Sequence, residues 1–167
     1  VQFASHYDLA AVGLGSVSLD TVTLSAMLLP LAGGVGRLVI GELSDRMDRR
    51  HAMAASFLLC GLGLFAVVAA GATGASVAFL VAVVAATFFW SPQFTLFPSL
   101  IGDFYGARHS ASNAALLYSA KIWGGLFGGT VAGWLVVVSD WATTFLIGGA
   151  LAIAAGVAAL ALRAPEP

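Results

Sequence analysis

The chain has 167 residues, 60% of them in the set Ala, Val, Ile, Leu, Met, Phe, Trp, Tyr and Cys, and only 9% charged. A soluble domain carries roughly 25% charged residues, so a water-soluble globule is excluded. A formal net charge of −1, with no basic stripe interleaved with aromatics, excludes nucleic acid as a partner.

A spanning helix needs about 20 mostly apolar residues. The chain opens at Val1 without the basic segment and short apolar run of a signal peptide, and its start reads as a cut. Val1 to Ala11 is apolar enough to be the outer end of a helix whose beginning is missing, and a glycine-containing connector leads from it to Asp20. Five full spans follow, over 21–43, 52–71, 76–97, 111–138 and 141–162. The joining segments are short, at 44–51, 71–75, 98–110 and 139–140, with a proline-rich tail over 164–167. No room remains for a soluble domain, and no internal repeat is evident. The fold class is therefore all-α, a polytopic helical bundle with the lipid bilayer as its partner. Cys60 lies in one of the apolar runs, and a single cysteine builds neither a disulfide nor a thiolate metal site within this chain.

Charge placement tests the segmentation independently, because Lys and Arg gather in cytoplasmic loops. Arg46, Arg49 and Arg50 fall in the first loop, Arg108 in the third, and Arg163 follows the last span. The opposite connections carry Asp8, Asp20 and Asp140 instead. The arginine-bearing side and the C-terminus are thus expected in the cytoplasm of a multi-pass protein in the cell (plasma or inner) membrane.

Two basic side chains lie well inside spans, Arg37 two turns before the end of its helix and Lys121 near the middle of its own. Each costs about 2.5 to 3.5 kcal/mol at mid-bilayer unless it faces a wet cavity or a partner. All eight acidic residues lie in loops or at helix ends, and Glu42, five positions after Arg37, is turned well round the helix. If the two cations face one cavity about 7 Å apart they repel by about 2 kcal/mol, which a small dianion between them would reverse. A guanidinium fork suits two carboxylate oxygens and an ammonium acts as a point charge, so an anion site is expected. The competing reading pairs these cations with carboxylates from other helices, or lets Arg37 snorkel to the interface.

Tyr118 precedes Lys121 by three residues and shares its face. Trp90 and Phe94 are one turn apart around Pro92, which removes a backbone donor and kinks its helix. Trp90 and Tyr118 are candidate cavity-lining residues, with Phe94 and Gln93 weaker ones. Gly33, Gly34, Gly36 and Gly41 surround Arg37, and Gly124, Gly125, Gly128, Gly129 and Gly133 follow Lys121, a pattern suited to close packing or to rocking helices.

The segment Gly41-Glu42-Leu43-Ser44-Asp45-Arg46-Met47-Asp48-Arg49-Arg50 resembles the loop motif of the major facilitator superfamily. Gly41, Leu43, Asp45, Arg46, Arg49 and Arg50 match, while Asp48 stands where the family usually has Gly. The resemblance implies a cytoplasmic latch whose Asp meets the positive end of a neighbouring helix and whose arginines join a charge network, its partner lying in helices outside this chain. The stretch from Phe97 to Arg108, with Asn113 and Leu117-Tyr118-Ser119-Ala120-Lys121, is similar to the oxalate/formate antiporter family, and with Gly36-Arg37 the similarity runs over nearly the whole chain. It implies that residues 1–167 are a partial transporter domain. This would be the C-terminal six-helix half with its first helix truncated, from the end of helix 7 through helix 12, completed by a missing N-terminal half. It further implies exchange of small carboxylates, with Arg37 and Lys121 against the anion inside an aromatic box to which Trp90 and Tyr118 belong. Phe94 offers no hydroxyl, and if a tyrosine is usual at this place in the family, the resemblance implies a different substrate.

The expected function is secondary active transport of small organic anions, carboxylates such as oxalate or formate, by exchange with alternating access. A proton-coupled monocarboxylate symporter and a non-transporting membrane anion sensor are the alternatives. No enzyme, cofactor or metal is expected. His6, His51 and His109 lie near helix ends in different segments with no metal-ligand spacing.

Overall fold

The computed structural model describes Leu9 and residues 12–14, 17–106 and 108–163. The expected outer end of a truncated helix, over Val1 to Ala11, lies outside the described residues except for Leu9. Within the connector that follows, β1 (Val12–Leu14) and β2 (Val17–Leu19) pair antiparallel, with Gly13 opposite Ser18. The described elements beyond it are all helices: α1 (Thr21–Arg46), α2 (Arg49–Ala72), α3 (Ser76–Trp90), α4 (Gln93–Tyr105), α5 (Ser110–Val138) and α6 (Trp141–Leu160). With α3 and α4 taken as one interrupted span, five helices are long and apolar enough to cross a membrane. Their apolar residues are spread around the full circumference, the pattern of helices immersed in an apolar solvent.

Two expected boundaries move. The segment at 44–51 is mostly helix, because α1 continues to Arg46 and α2 begins at Arg49. Ion pairs one turn apart, Arg46–Glu42 at 2.7 Å and Arg49–Asp45 at 2.8 Å, support these ends. The segment at 98–110 is also helical as far as Tyr105, with Pro98 inside α4. A proline in a span is tolerated where neighbouring helices and hydroxyl side chains re-satisfy the freed carbonyl groups. The Ser139–Asp140 turn falls where expected, and the Asp140 carboxylate caps α6 by accepting from the Thr143 backbone N–H at 2.7 Å.

The core has two parts. Near one end Leu9, Val67, Ala70, Phe79 and Ala82 pack together. Near the other, Ile40, Met53, Leu96, Leu100 and Ala159 meet the rings of Phe57, Phe88, Phe89, Phe97 and Phe104. Helix α2 is the hub, laid against α6 and α3, while α1 lies against α3. Backbones approach closely at Gly61, where a Cβ would stand 2.7 Å from the Gly149 carbonyl oxygen, and at Gly63, where it would stand 2.9 Å from the Ala86 Cα. Helix α5 stands apart. No residue of it is buried, and its five glycines have nothing within 4 Å of a would-be Cβ. The tight packing expected of the glycines after Lys121 is therefore not made within the described residues.

Candidate functional site

The site begins with a missing hydrogen. Pro92 has no N–H, so the Phe88 carbonyl loses its helical partner and the span breaks at Ser91–Pro92 between α3 and α4. That carbonyl lies against Gly36 of α1, where a Cβ would overlap its oxygen. Gly33, one turn earlier, brings α1 so close that a Cβ there would be 3.2 Å from the Ser91 hydroxyl oxygen. The two glycines thus admit the broken strand of backbone, and the residue after Gly36 is Arg37.

Arg37 Nε donates to Ser91 Oγ at 2.7 Å, and its Cζ lies 5.2 Å from the centroid of the Phe94 ring. Lys121 reaches the same ring from α5, its Nζ 3.6 Å from the centroid and 5.8 Å from that of Tyr118. Trp90 meets Phe94 edge to face, with centroids 5.0 Å apart. Cζ of Arg37 and Nζ of Lys121 are therefore at most 8.8 Å apart, the sum of their distances to the Phe94 centroid. At that separation and an effective dielectric near 20 the two charges repel by at least about 2 kcal/mol. Neither has a hydrogen bond or ion pair to a carboxylate among the described residues. The nearby candidate, Glu42, is taken by Arg46. Aromatic faces offset part of the cations' cost, but they neutralise neither charge. Arg37, Lys121, Trp90 and Tyr118 all lie on an exposed face of the bundle, Trp90 and Tyr118 half exposed at 52% and 50%.

Phe94 is more central than its sequence suggested, since both cations converge on it. Ser91 was not legible as a site residue, although a hydroxyl directly before a helix-breaking proline is a usable signal. Gln93 lies on the other side of the break, with Leu96 and Leu100. It is buried, and both atoms of its amide lack a partner among the described residues.

At the arginine-bearing end, Gly41, Asp45 and Arg46 occupy the last turns of α1, and Arg49 and Arg50 open α2. Arg49 bridges Asp45 at 2.8 Å and Asp103 of α4 at 3.1 Å, so one partner of the charge network lies within this chain and not only in helices beyond it. Arg50 donates to the Leu162 carbonyl at 2.9 Å, tying the motif to the end of α6. Asp48 has φ −60, which needs no glycine, and its carboxylate accepts from the Arg50 backbone N–H as the cap of α2. The Arg50 side chain, then its backbone N–H, hold the Asp48 carboxyl down to about 2 from an ordinary 3.8. Gly41 has open space around it.

Comparison with known proteins bears on what this geometry belongs to. The chain is 31% identical over 133 residues to the oxalate:formate antiporter of Oxalobacter formigenes, covering 78% of this chain and 31% of that protein. It is 27% identical over 108 residues to the uncharacterized MFS-type transporter YhjX of Escherichia coli K12, covering 65% and 26%. It is 26% identical over 154 residues to an uncharacterized 38 kDa protein in the 23S RNA operon of Thermoproteus tenax, covering 87% and 37%. The chain thus spans about a third of the length of these relatives. No solved structure matches. The family model of the Major Facilitator Superfamily matches residues 4–167, nearly the full chain, and the chain belongs to that superfamily of membrane transporters.

Proposed function

We propose that this chain is the C-terminal part, from the end of helix 7 through helix 12, of a secondary transporter that exchanges small organic anions of the oxalate and formate class across the cell membrane. A missing N-terminal half closes over the exposed face that carries Arg37 and Lys121. The observation that carries the reading is the convergence of two cations without carboxylate partners among the described residues on one aromatic ring. A carboxylate about 4 Å from each cation gains about 4 kcal/mol per contact at an effective dielectric near 20, before desolvation, and removes the repulsion between them. Arg37 engages two carboxylate oxygens, Lys121 holds the opposite end, and Trp90 and Tyr118 wall the anion. The likeness to the Oxalobacter formigenes antiporter supports the same substrate class. Gly41, Asp45, Arg46, Arg49 and Arg50 act as a latch at the cytoplasmic end, where the C-terminus also lies, closing and releasing during alternating access.

The test is exchange by the intact transporter in proteoliposomes. External labelled formate or oxalate is expected to enter only when a carboxylate is trapped inside, and to enter at background rates with Arg37→Ala or Lys121→Ala. Uptake that needs no internal anion and follows an imposed pH gradient would overturn exchange in favour of proton coupling.

A further inference from the structure

An arginine that grips an anion needs its guanidinium oriented, and among the described residues one hydrogen bond does this for Arg37, beside its contact with the Phe94 ring. We infer that Ser91 is a positioning residue for the anion site, fixing the Arg37 guanidinium by its Nε so that its two Nη groups face the ligand. The inference rests on the reading of Arg37 as an anion ligand. Ser91 is 1% exposed, and its hydroxyl oxygen is the acceptor at 2.7 Å, a short contact for an N–H donor. A guanidinium has five N–H donors, and this one makes no other hydrogen bond among the described residues. With Nε occupied, the paired N–H groups on Nη1 and Nη2 remain, and these match the two oxygens of a planar carboxylate approached along the Cζ axis.

The hydroxyl is where it is because of the helix break. Pro92 halts α3 at the residue after Ser91, and Gly33 and Gly36 let α1 close on that turn. Ser91 also couples two elements of the site. The helix interrupted beside it continues as α4, whose second residue, Phe94, carries the ring against which both cations rest. Motion of the broken span would carry the Arg37 anchor and this ring together. A lysine at position 37 can still donate to the hydroxyl, but it has no planar pair of N–H groups to aim, so the hydroxyl orients a fork only beside an arginine.

The intact transporter, titrated with oxalate and with formate by ligand-dependent thermal stabilisation, tests this. Ser91→Ala is expected to raise the Kd about tenfold, the loss of one charge-assisted hydrogen bond, with the unliganded melting temperature nearly unchanged. Ser91→Thr, which keeps the hydroxyl, restores the affinity. In an Arg37→Lys background Ser91→Ala brings no further loss, since nothing remains for it to position. Wild-type affinity in Ser91→Ala, or an equal tenfold loss in both backgrounds, would overturn the inference. Should the lysine background bind too weakly to titrate, the threonine variant decides: recovery supports the role and a loss as deep as alanine's overturns it. Undiminished binding in Arg37→Ala removes the anion-site reading itself, whereas loss in Arg37→Ala with Ser91→Ala unaffected removes only the role of Ser91.

Discussion

Replacing Gly36 by alanine tests the packing that places the site. The three atoms nearest the added methyl are all backbone: the Phe88 carbonyl oxygen, its carbon at 3.0 Å and the Phe88 Cα at 3.2 Å. No side chain can swing away to make room. Carbon rests on a carbonyl oxygen at about 3.3 Å or more, so α1 and α3 must part by roughly 1 Å at this level. The Arg37–Ser91 hydrogen bond starts at 2.7 Å, and such a parting carries it beyond about 3.5 Å, where it no longer counts as one. The overpacking costs about 1 to 3 kcal/mol, and loss of the hydrogen bond is read in the anion affinity. Thermal unfolding of the intact transporter in detergent, with and without oxalate, reads both effects, and weakened anion stabilisation is expected beside the lower melting temperature. Gly34→Ala, two residues earlier and with nothing within 4 Å of its would-be Cβ, is the control. It is expected to be no less stable than wild type, gaining up to about 1 kcal/mol from helix propensity. A Gly36→Ala protein as stable as wild type and binding anions equally well would refute the close approach of the two helices.

Other changes read separate parts of the structure. Gln93→Leu removes a buried amide that has no partner among the described residues, and is expected to raise stability by about 1 to 3 kcal/mol. A lower melting temperature would mean the amide is satisfied by a group outside this chain. Asp103→Asn breaks the link from Arg49 to α4, an ion pair with a half-exposed carboxylate, and should cost no more than about 1 kcal/mol, vanishing at roughly 1 M salt. A large, salt-independent loss would contradict that. Asp48 has a folded-state pKa below its unfolded one, so its contribution is present above about pH 4 and is lost as pH falls toward about 2. The stability gap between wild type and Asp48→Ala is expected to stay constant above that window and to close within it. A gap that widens on acidification would reverse the assignment.

Much of this architecture is legible in composition, because the length of an apolar run and the side on which arginines gather follow from the bilayer alone. The five spans and the shared end of Arg46, Arg49 and Arg50 are read that way. The apolar run ends the third span at residue 97, whereas the helix runs through Pro98 to Tyr105, because a proline inside a span is tolerated where neighbouring helices and hydroxyl groups re-satisfy the freed carbonyls. The glycines show the limit of pattern. Gly33 and Gly36 lie at a real helix contact, but Gly124 and Gly128 face open space, and further close approaches are made by Gly61, Gly149 and Gly156, which no charged residue drew attention to. Small-residue spacing tells which helices can approach, not which do. At the site, Arg37 and Lys121 stand out because charge in lipid is costly. Ser91 does not, and Phe94 does so only weakly, since a serine and a phenylalanine are ordinary in a span until the break at Pro92 turns them toward the cations.

The most direct test of the central claim is anion binding to the intact transporter and to its Arg37→Ala and Lys121→Ala variants, read as the shift in unfolding temperature against oxalate concentration. Wild type is expected to gain about 2.7 kcal/mol when the ligand reaches 100 times its Kd, and each variant to lose that gain while still unfolding cooperatively. Equal stabilisation of all three proteins would show that this guanidinium and this ammonium do not hold the anion.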